Sequence, residues 1–477
     1  MSKMKRKFGV AAALLPACLL AACAAGPDYK RPDMVLPESW AVKQGDKAPK
    51  VGAASEQWWH LYDDSVLDKL EEEALANNAD IQVAAARVQE VRAQLGVTES
   101  DQYPSLNANV TGNRTKYSQV GSFPRPTQNF SHASLDASYQ IDLWGKLRRA
   151  SEAARADLLS AESAKDTVRL SLTTQVAQQY FSLVSLDGQE EAISRVLAGR
   201  QERLSLGKKQ LAVGSISEYD LHQVEADVDA VQSQLASITQ TRSSQETALA
   251  LLLGRSPREV MMGGNLHRGS PSLPVASVPD GLPAELLLRR PDLKQAEQHL
   301  VALNASIGAA RAEFFPSITL TSFLGSESVA LANMFTGPSG IFQFAAAISQ
   351  PIFNVARVGH LVDVAEARRE QALIQYKQAV ASAFGDVRNA LSAQDSARQI
   401  LAAETRRSEA LAQAYKQAEL RYQSGITSHL ELLDVERNYL QARTNRLDAE
   451  RAQRSAVADL FKALGGGWQH PDPGKAK

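Results

Sequence analysis

The chain has 477 residues with 52 Lys and Arg against 53 Asp and Glu. The net charge is −1, so no bulk electrostatic case exists for nucleic acid. Aromatic residues make up only 6% of a sequence rich in Ala, Gln, Glu, Arg and Leu, which favours long helices over a compact enzyme core. The only two cysteines, Cys18 and Cys23, lie near the N-terminus, which excludes a disulfide or cysteine–metal framework in the body of the protein.

Lys3, Lys5, Arg6 and Lys7 precede an apolar run that is too short, and too early broken by Pro16, to span a membrane as a helix. Residues 1–22 therefore read as a signal peptide. The run ends in Leu20-Ala21-Ala22-Cys23, which resembles a bacterial lipobox, whose cysteine thiol is acylated before cleavage. A plain signal peptide cut elsewhere is the alternative. Lipid on Cys23, at about 0.8 kcal/mol per buried methylene, would anchor the mature chain firmly; no other cofactor is expected. Ala24 and Ala25 follow with no Asp, which in the sorting rule implied by that resemblance favours the outer membrane. Residues 23–63 read as a lipid-anchored extended segment, with Pro27, Pro32 and Pro37 keeping it open. Trp58, Trp59, Leu61 and Tyr62 are expected to dock it.

The remainder is built twice. The spacing from Asp80 to Asp292 equals that from Pro104 to Pro316, which argues for duplication. The first repeat, 64–254, carries helices at about 64–101, 144–213 and 217–253 and strands at about 104–117 and 130–143. The second, 284–464, carries helices at about 291–314, 355–424 and 428–464 and strands at about 316–326 and 340–353. A Pro/Gly-rich linker, 255–283, joins them, and 465–477 is a loose tail. The strands alternate apolar with polar residues, as in Leu106, Ala108 and Val110, or Phe342, Phe344, Ala346 and Ile348. Such alternation is the weak signature of a membrane strand; two soluble hairpins packed on helices are the alternative. Four strands cannot close a membrane barrel, which needs about eight or more, so a barrel demands an oligomer of a shared sheet.

Each strand pair returns into a long helix without proline. Apolar stripes such as Val168, Leu172, Val176 and Tyr180, or Tyr376, Val380, Phe384 and Val387, make coiled-coil-like seams. Gly214 and Gly425 read as helix stops, since glycine takes a left-handed cap without strain. Ser217 and Ser428 then cap the following helices. Glu431 is placed to complete a capping box with Ser428.

Several stretches carry a family resemblance. They are Cys23 with Gly26-Pro27-Asp28-Tyr29-Lys30-Arg31-Pro32, Tyr139-Gln140-Ile141-Asp142-Leu143-Trp144-Gly145-Lys146, Arg289-Arg290-Pro291-Asp292-Leu293, Phe314-Phe315-Pro316-Ser317-Ile318 and Gly425-Ile426-Thr427-Ser428-His429-Leu430-Glu431-Leu432-Leu433-Asp434. With these the chain resembles the outer-membrane efflux protein family, TolC-like, in its lipidated OprM/NodT-type branch. The resemblance implies a mostly α fold with β: a homotrimer whose twelve strands form one outer-membrane β-barrel, continued by a periplasmic α-helical barrel. It implies a passive exit duct of a tripartite efflux pump, conducting drugs or other small molecules. The expected partners are a periplasmic adaptor (membrane fusion) protein and an inner-membrane transporter, commonly of the RND type.

The same resemblance places Glu431 and Asp434 around the closed periplasmic end, with Leu430 as an apolar plug. The family often has Asp at the position of Glu431. A capping Glu431 and a solvated Asp434 are the plainer reading. Gly214, Ser215, Ser217, Gly425, Thr427 and Ser428 are the tip residues expected to meet the adaptor. Trp144 suits either a membrane interface or core packing. No HExxH, Walker-type loop or GxSxG supports an enzyme. The rival from another class is a structural coiled-coil periplasmic lipoprotein without a pore.

Overall fold

The structure, a computed structural model, describes residues 25–36, 57–118, 120, 127–262, 268–269, 273–274, 290–353 and 355–466. The signal peptide, Cys23, much of the linker and most of the tail lie outside the described residues. The chain divides into two compact units. One gathers described residues within 1–34, 87–162 and 295–378, the other those within 35–86, 163–294 and 379–477.

The expected helix at 64–101 is two helices, α1 (Ser65–Asn77) in the second unit and α2 (Ala79–Ser100), which runs from the second unit into the first. Asn78 breaks them. Its backbone is extended (φ −61°, ψ 133°), and its Oδ1 accepts from Asp80 N at 2.8 Å and Ile81 N at 3.2 Å, so it caps α2 instead of continuing α1. Its Nδ2 donates to Leu252 O at 2.9 Å, which fixes the break. A 3₁₀ turn at Trp58–Tyr62 precedes α1. Trp58 stacks on Phe461 with centroids 5.6 Å apart, and Tyr62 donates to Arg454 O at 2.7 Å. With Leu67, Leu70, Val176, Phe181, Leu249 and Leu460 these side chains are buried, and burial of each large apolar group is worth about 1.5–3 kcal/mol. The stretch read as linker contains a short helix, α5 (Pro257–Met262). Ser256 starts it: Glu259 accepts from Ser256 N at 2.9 Å and returns its own N–H to Ser256 Oγ at 3.4 Å.

The first unit holds one antiparallel sheet of β1 (Ser105–Thr115), β2 (Gln128–Ile141), β3 (Ser317–Ser328) and β4 (Gly340–Ser349), in that spatial order. The two hairpins are thus not separate, because β2 of one repeat pairs with β3 of the other. Register puts Leu106 opposite Ala137, Tyr139 opposite Leu320, Ile318 opposite Ile348 and Leu324 opposite Phe342, so apolar residues share one face across all four strands. Asn107, Asp136, Phe323 and Gln343 share the other face, which is mostly polar. Large apolar side chains on the outer strands are bare: Val110 is 78% exposed and Phe344 81%. β4 stops at Ser349 and not at 353, where Pro351 removes a ladder donor.

β2 stops because Asp142 turns its carboxylate to the next helix, accepting from Leu147 N at 3.1 Å and Arg148 N at 2.9 Å. That helix, α3 (Lys146–Ala212), begins two residues later than expected because Gly145 has φ +78°. Trp144 takes the packed role: its indole N–H donates to Pro316 O at 2.8 Å and its ring stacks on Phe315 at 4.7 Å.

Residues 25–31 lie along α6 (Pro291–Ala312). Arg31 forms a two-pronged bond to Glu297, both contacts 2.7 Å, and Tyr29 donates to the same carboxylate at 3.2 Å. Arg149 reaches Asp28 at 2.7 Å. Two glycines let the backbones touch: a Cβ on Gly308 would sit 2.6 Å from Ala25 O. Gly308→Leu should therefore detach this strap, and limited trypsin digestion should cut after Lys30 faster than in the parent chain. An unchanged rate would contradict the packing.

Candidate gate at the hairpin tips

Both helical hairpins turn within the second unit. The first joins α3 to α4 (Glu218–Leu252), the second joins α7 (Val355–Gln423) to α8 (His429–Ala463). Gly214 and Gly425 have φ +73° and +72°. Each ends its helix with the same pair of bonds: Gly214 N to Leu211 O and Ser215 N to Gln210 O, then Gly425 N to Tyr422 O and Ile426 N to Arg421 O, all at 2.9 Å. That is a Schellman close. No atom lies within 4 Å of a Cβ built on either glycine, so backbone angle and not space demands glycine here.

The two tips differ in their N-caps. Ser217 makes a full capping box, accepting from Asp220 N at 3.2 Å while Asp220 accepts from Ser217 N at 3.1 Å. Those bonds from Ser217 hold the Asp220 carboxyl below the usual carboxylate range. Ser428 accepts from Glu431 N at 3.2 Å, but Glu431 does not return the bond, so the box expected there is only half made. The longer Glu side chain instead turns outward, exposed and with no partner among the described residues.

Asp434, also exposed, pairs with Arg437 and accepts from Asn438 at 3.3 Å. Leu430 is 67% exposed, close to Ile426 at 69%, and at the other tip Val213 and Tyr219 are similarly bare. Gly214, Ser215, Ser217, Gly425 and Ser428 are exposed. Thr427 is buried, and its hydroxyl accepts from Arg421 Nε at 3.2 Å, so it stiffens the turn from within.

Behind the exposed acids sits a cluster that the sequence reading did not single out. Glu436 is 3% exposed. Its carboxylate accepts from Arg203 at 3.1 Å, Arg200 at 3.4 Å and Tyr415 Oη at 3.3 Å. Arg200 also donates to Asp227 O at 3.1 Å, and Tyr415 stacks on Tyr439 with centroids 5.6 Å apart. Side chains from α3, α4, α7 and α8 thus meet at one point. Further along, Gln189 donates to Asp448 at 3.1 Å and Gly188 lies against Leu447, so α3 and α8 stay in contact. A cleft of about 630 Å³ opens beside the cluster, lined by Arg195, Leu206, Tyr415, Tyr422, Leu432 and Tyr439. The only sequence signal was spacing: Glu436 falls four residues after Leu432 on the seam of α8, where an acid is out of place unless paired.

Among the described residues the sheet is apolar on one face and has two bare edges, and the helical hairpins are capped, the parts that the protomer of a membrane channel needs. The chain belongs to the outer membrane efflux protein family, which it matches over residues 70–255 and 282–466. It is 36% identical over 460 residues to the cation efflux system protein CusC of Escherichia coli O6:H1, covering 96% of this chain and 99% of that one. It is 35% identical over 452 residues to a Salmonella typhimurium protein named "Probable outer membrane lipoprotein SilC", covering 94% and 97%. The outer membrane channel CmeC of Campylobacter jejuni superposes with a TM-score of 0.86 at 25% identity, over 94% of this chain and 96% of that one. The fold is that of this family's trimeric channels, mostly helical with a small sheet, and the protein is an outer-membrane channel of an efflux system. The family is one of transport channels and not of enzymes.

Gly425→Val should strain the second tip by about 1–2 kcal/mol. Hydrogen exchange at Gly425 and Ile426 amides should quicken, while Gly425→Asn, which tolerates a left-handed backbone, should stay near the parent. Equal protection in the Val variant would contradict the cap.

Proposed function

We propose that three copies of this chain form a passive exit duct, closed at its periplasmic end by a ring of Glu431 and Asp434. The observation that carries the reading is the four-stranded sheet whose outer edges, on β1 and β4, have no partner among the described residues, with Phe342, Phe344, Leu106 and Val110 bare. Three such sheets joined edge to edge make twelve strands with no edge left, the apolar face meeting lipid and the more polar face lining the bore. The long hairpins then supply a periplasmic tunnel.

Acylation of Cys23 anchors each copy in this reading, in keeping with the name of the SilC relative. The exposed tips, with Gly214, Ser215, Ser217, Gly425 and Ser428 held over the buried Thr427, receive a periplasmic adaptor protein. An inner-membrane transporter, commonly of the RND type, supplies the energy and selects the compound. The chain itself performs no chemistry.

Threefold symmetry repeats each acid three times about one axis. Two carboxylates within 4 Å repel by about 1 kcal/mol in water and about 4 kcal/mol at a protein surface, the scale of one or two hydrogen bonds. Arg437 relieves Asp434, while Glu431 stands uncompensated. A closed end built this way admits cations and lies near balance, so a partner opens it with little work. Cation efflux, the role named for CusC, suits such a ring.

Replacing Glu431 and Asp434 together by Ala should raise the conductance of purified trimers in planar bilayers severalfold and weaken cation preference. Unchanged conductance would remove both from the gate. Replacing Gly214 and Gly425 together by Val should abolish export in cells while trimers still form, and normal export would count against docking at the tips.

A further inference from the structure

The two repeats are built to the same register. Ser105 faces Ser138 across β1 and β2, and their counterparts one repeat on, Ser317 and Ser349, face each other across β3 and β4. The same bond recurs: Ser105 Oγ donates to Ser138 O at 3.4 Å, and Ser317 Oγ to Ser349 O at 3.3 Å. An ion pair recurs in the adjoining helices. Glu99 of α2 meets Arg155 of α3 at 2.8 Å, and at the same two steps along the chain Arg311 of α6 meets Glu366 of α7 at 2.6 Å, with the charges exchanged. Positions in one strand and helix pair therefore have fixed counterparts in the other.

Between the repeats lies one joint, β2 on β3 and α3 on α6. There Ala137 faces Ser322, Ile141 faces Ile318 and Ser160 donates to Gln295 O at 3.1 Å. Beside them Lys146 meets Glu313 at 3.0 Å and Trp144 stacks on Phe315. The counterpart of this joint sets β4 and α7 against β1 and α2. One chain cannot make it, because β1 and β4 lie at opposite edges of the sheet. Carried along by the same two steps, Ala137–Ser322 becomes Ile348–Val110, Ile141–Ile318 becomes Ile352–Leu106, and Lys146–Glu313 becomes Arg357–Asp101. Phe315 becomes Tyr103. All seven of these counterparts are exposed in the single chain. Arg357 and Asp101, of opposite charge, have no partner among the described residues. One counterpart is unfavourable: Asp157 and His299, 3.9 Å apart, map to Arg368 and Arg87, but Arg87 already pairs with Glu90 at 2.7 Å.

We propose that neighbouring copies join by repeating this internal joint, with Val110 of one copy opposite Ile348 of the next and Asp101 paired with Arg357. The inference rests on the reading of three copies as one barrel and names the residues that meet at its seams. Stagger and tilt are linked in a barrel, and a seam set like the inner joint keeps one tilt around the whole ring. A slip of one residue turns every β4 side chain to the wrong face and puts Phe344 and Ile348 beside the polar residues of β1. A slip of two keeps the faces but sets Ile348 against Ala108 or Gly112, a poorer match than one β-branched residue against another.

The test is cross-linking between copies. The chain's only cysteines, Cys18 and Cys23, precede the sheet, so an introduced pair is the only one within it. Full-length protein carrying Val110→Cys with Ile348→Cys, and a second form carrying Thr111→Cys with Ala347→Cys, would be oxidised in outer membranes. Antiparallel strands alternate close and wide pairs, so one of these two sits at bridging distance. That form should give covalent trimers on a non-reducing gel, severalfold above Ala108→Cys with Ile348→Cys and above Gly112→Cys with Ile348→Cys. More trimer from either slipped pair overturns the register. Arg357→Asp or Asp101→Arg alone should lower the temperature at which trimers fall apart in detergent, and the two together should restore it. A double variant no better than the single ones overturns the ion pair. This exchange leaves the strands unaltered, so it tests the seam even where a cysteine variant fails to reach the membrane. Trimers by light scattering with no cross-link at either matched pair overturn the seam and leave the duct standing; single chains overturn both.

Discussion

An unfinished sheet is the constraint on which everything else depends. β1 is eleven residues long and leaves roughly ten outward N–H and C=O groups. In hydrocarbon each would cost about 2–7 kcal/mol. A whole domain is stable by only about 5–15 kcal/mol, so a bare edge in lipid is more than the fold can sustain. The continuous apolar face and the unpaired edges make the same demand: lipid on one side and another copy at each end. The lone chain is a part, complete only in an assembly.

A second theme is that the chain tolerates polar burial only where it ties elements together. Glu297 takes Arg31 and Tyr29 and binds the N-terminal segment to α6. Burial and the Glu297 charge raise the Tyr29 pKa, so its hydroxyl remains a donor. Glu436 does the corresponding work between helices that are distant in sequence. A buried pair of this kind adds little net stability against an apolar substitute, but removing one partner leaves the other stranded. Such ties specify an arrangement more than they strengthen it, and a channel that must open again is served by that property.

Much of this was legible in the sequence because its causes are local. Period-two alternation gave the strands, since a pleated backbone sends successive side chains to opposite faces. Gly214 and Gly425 gave the tips because only glycine takes φ near +70° without strain. The break at Asn78 was in reach, since Asn followed by Ala79-Asp80 is a capping sequence, but it was masked by apolar periodicity on both sides. The half-made box at Ser428 was not legible, because whether a Glu side chain folds back depends on what else is near. Pairing of β2 with β3 follows from the repeats sharing one sheet, which no pattern within either repeat reveals. Glu436 stayed hidden for the same reason. Its arginine partners are more than two hundred residues earlier in α3, and an isolated acid on a helical seam looks like any solvated charge until α3 is laid beside α8.

The most direct test of this account is the number of chains per particle when mature protein is purified in mild detergent, measured by light scattering corrected for bound detergent. Three chains in a particle that passes current across a bilayer is the result the account predicts. A monodisperse single chain that passes none would show that the sheet is finished some other way and would contradict the duct.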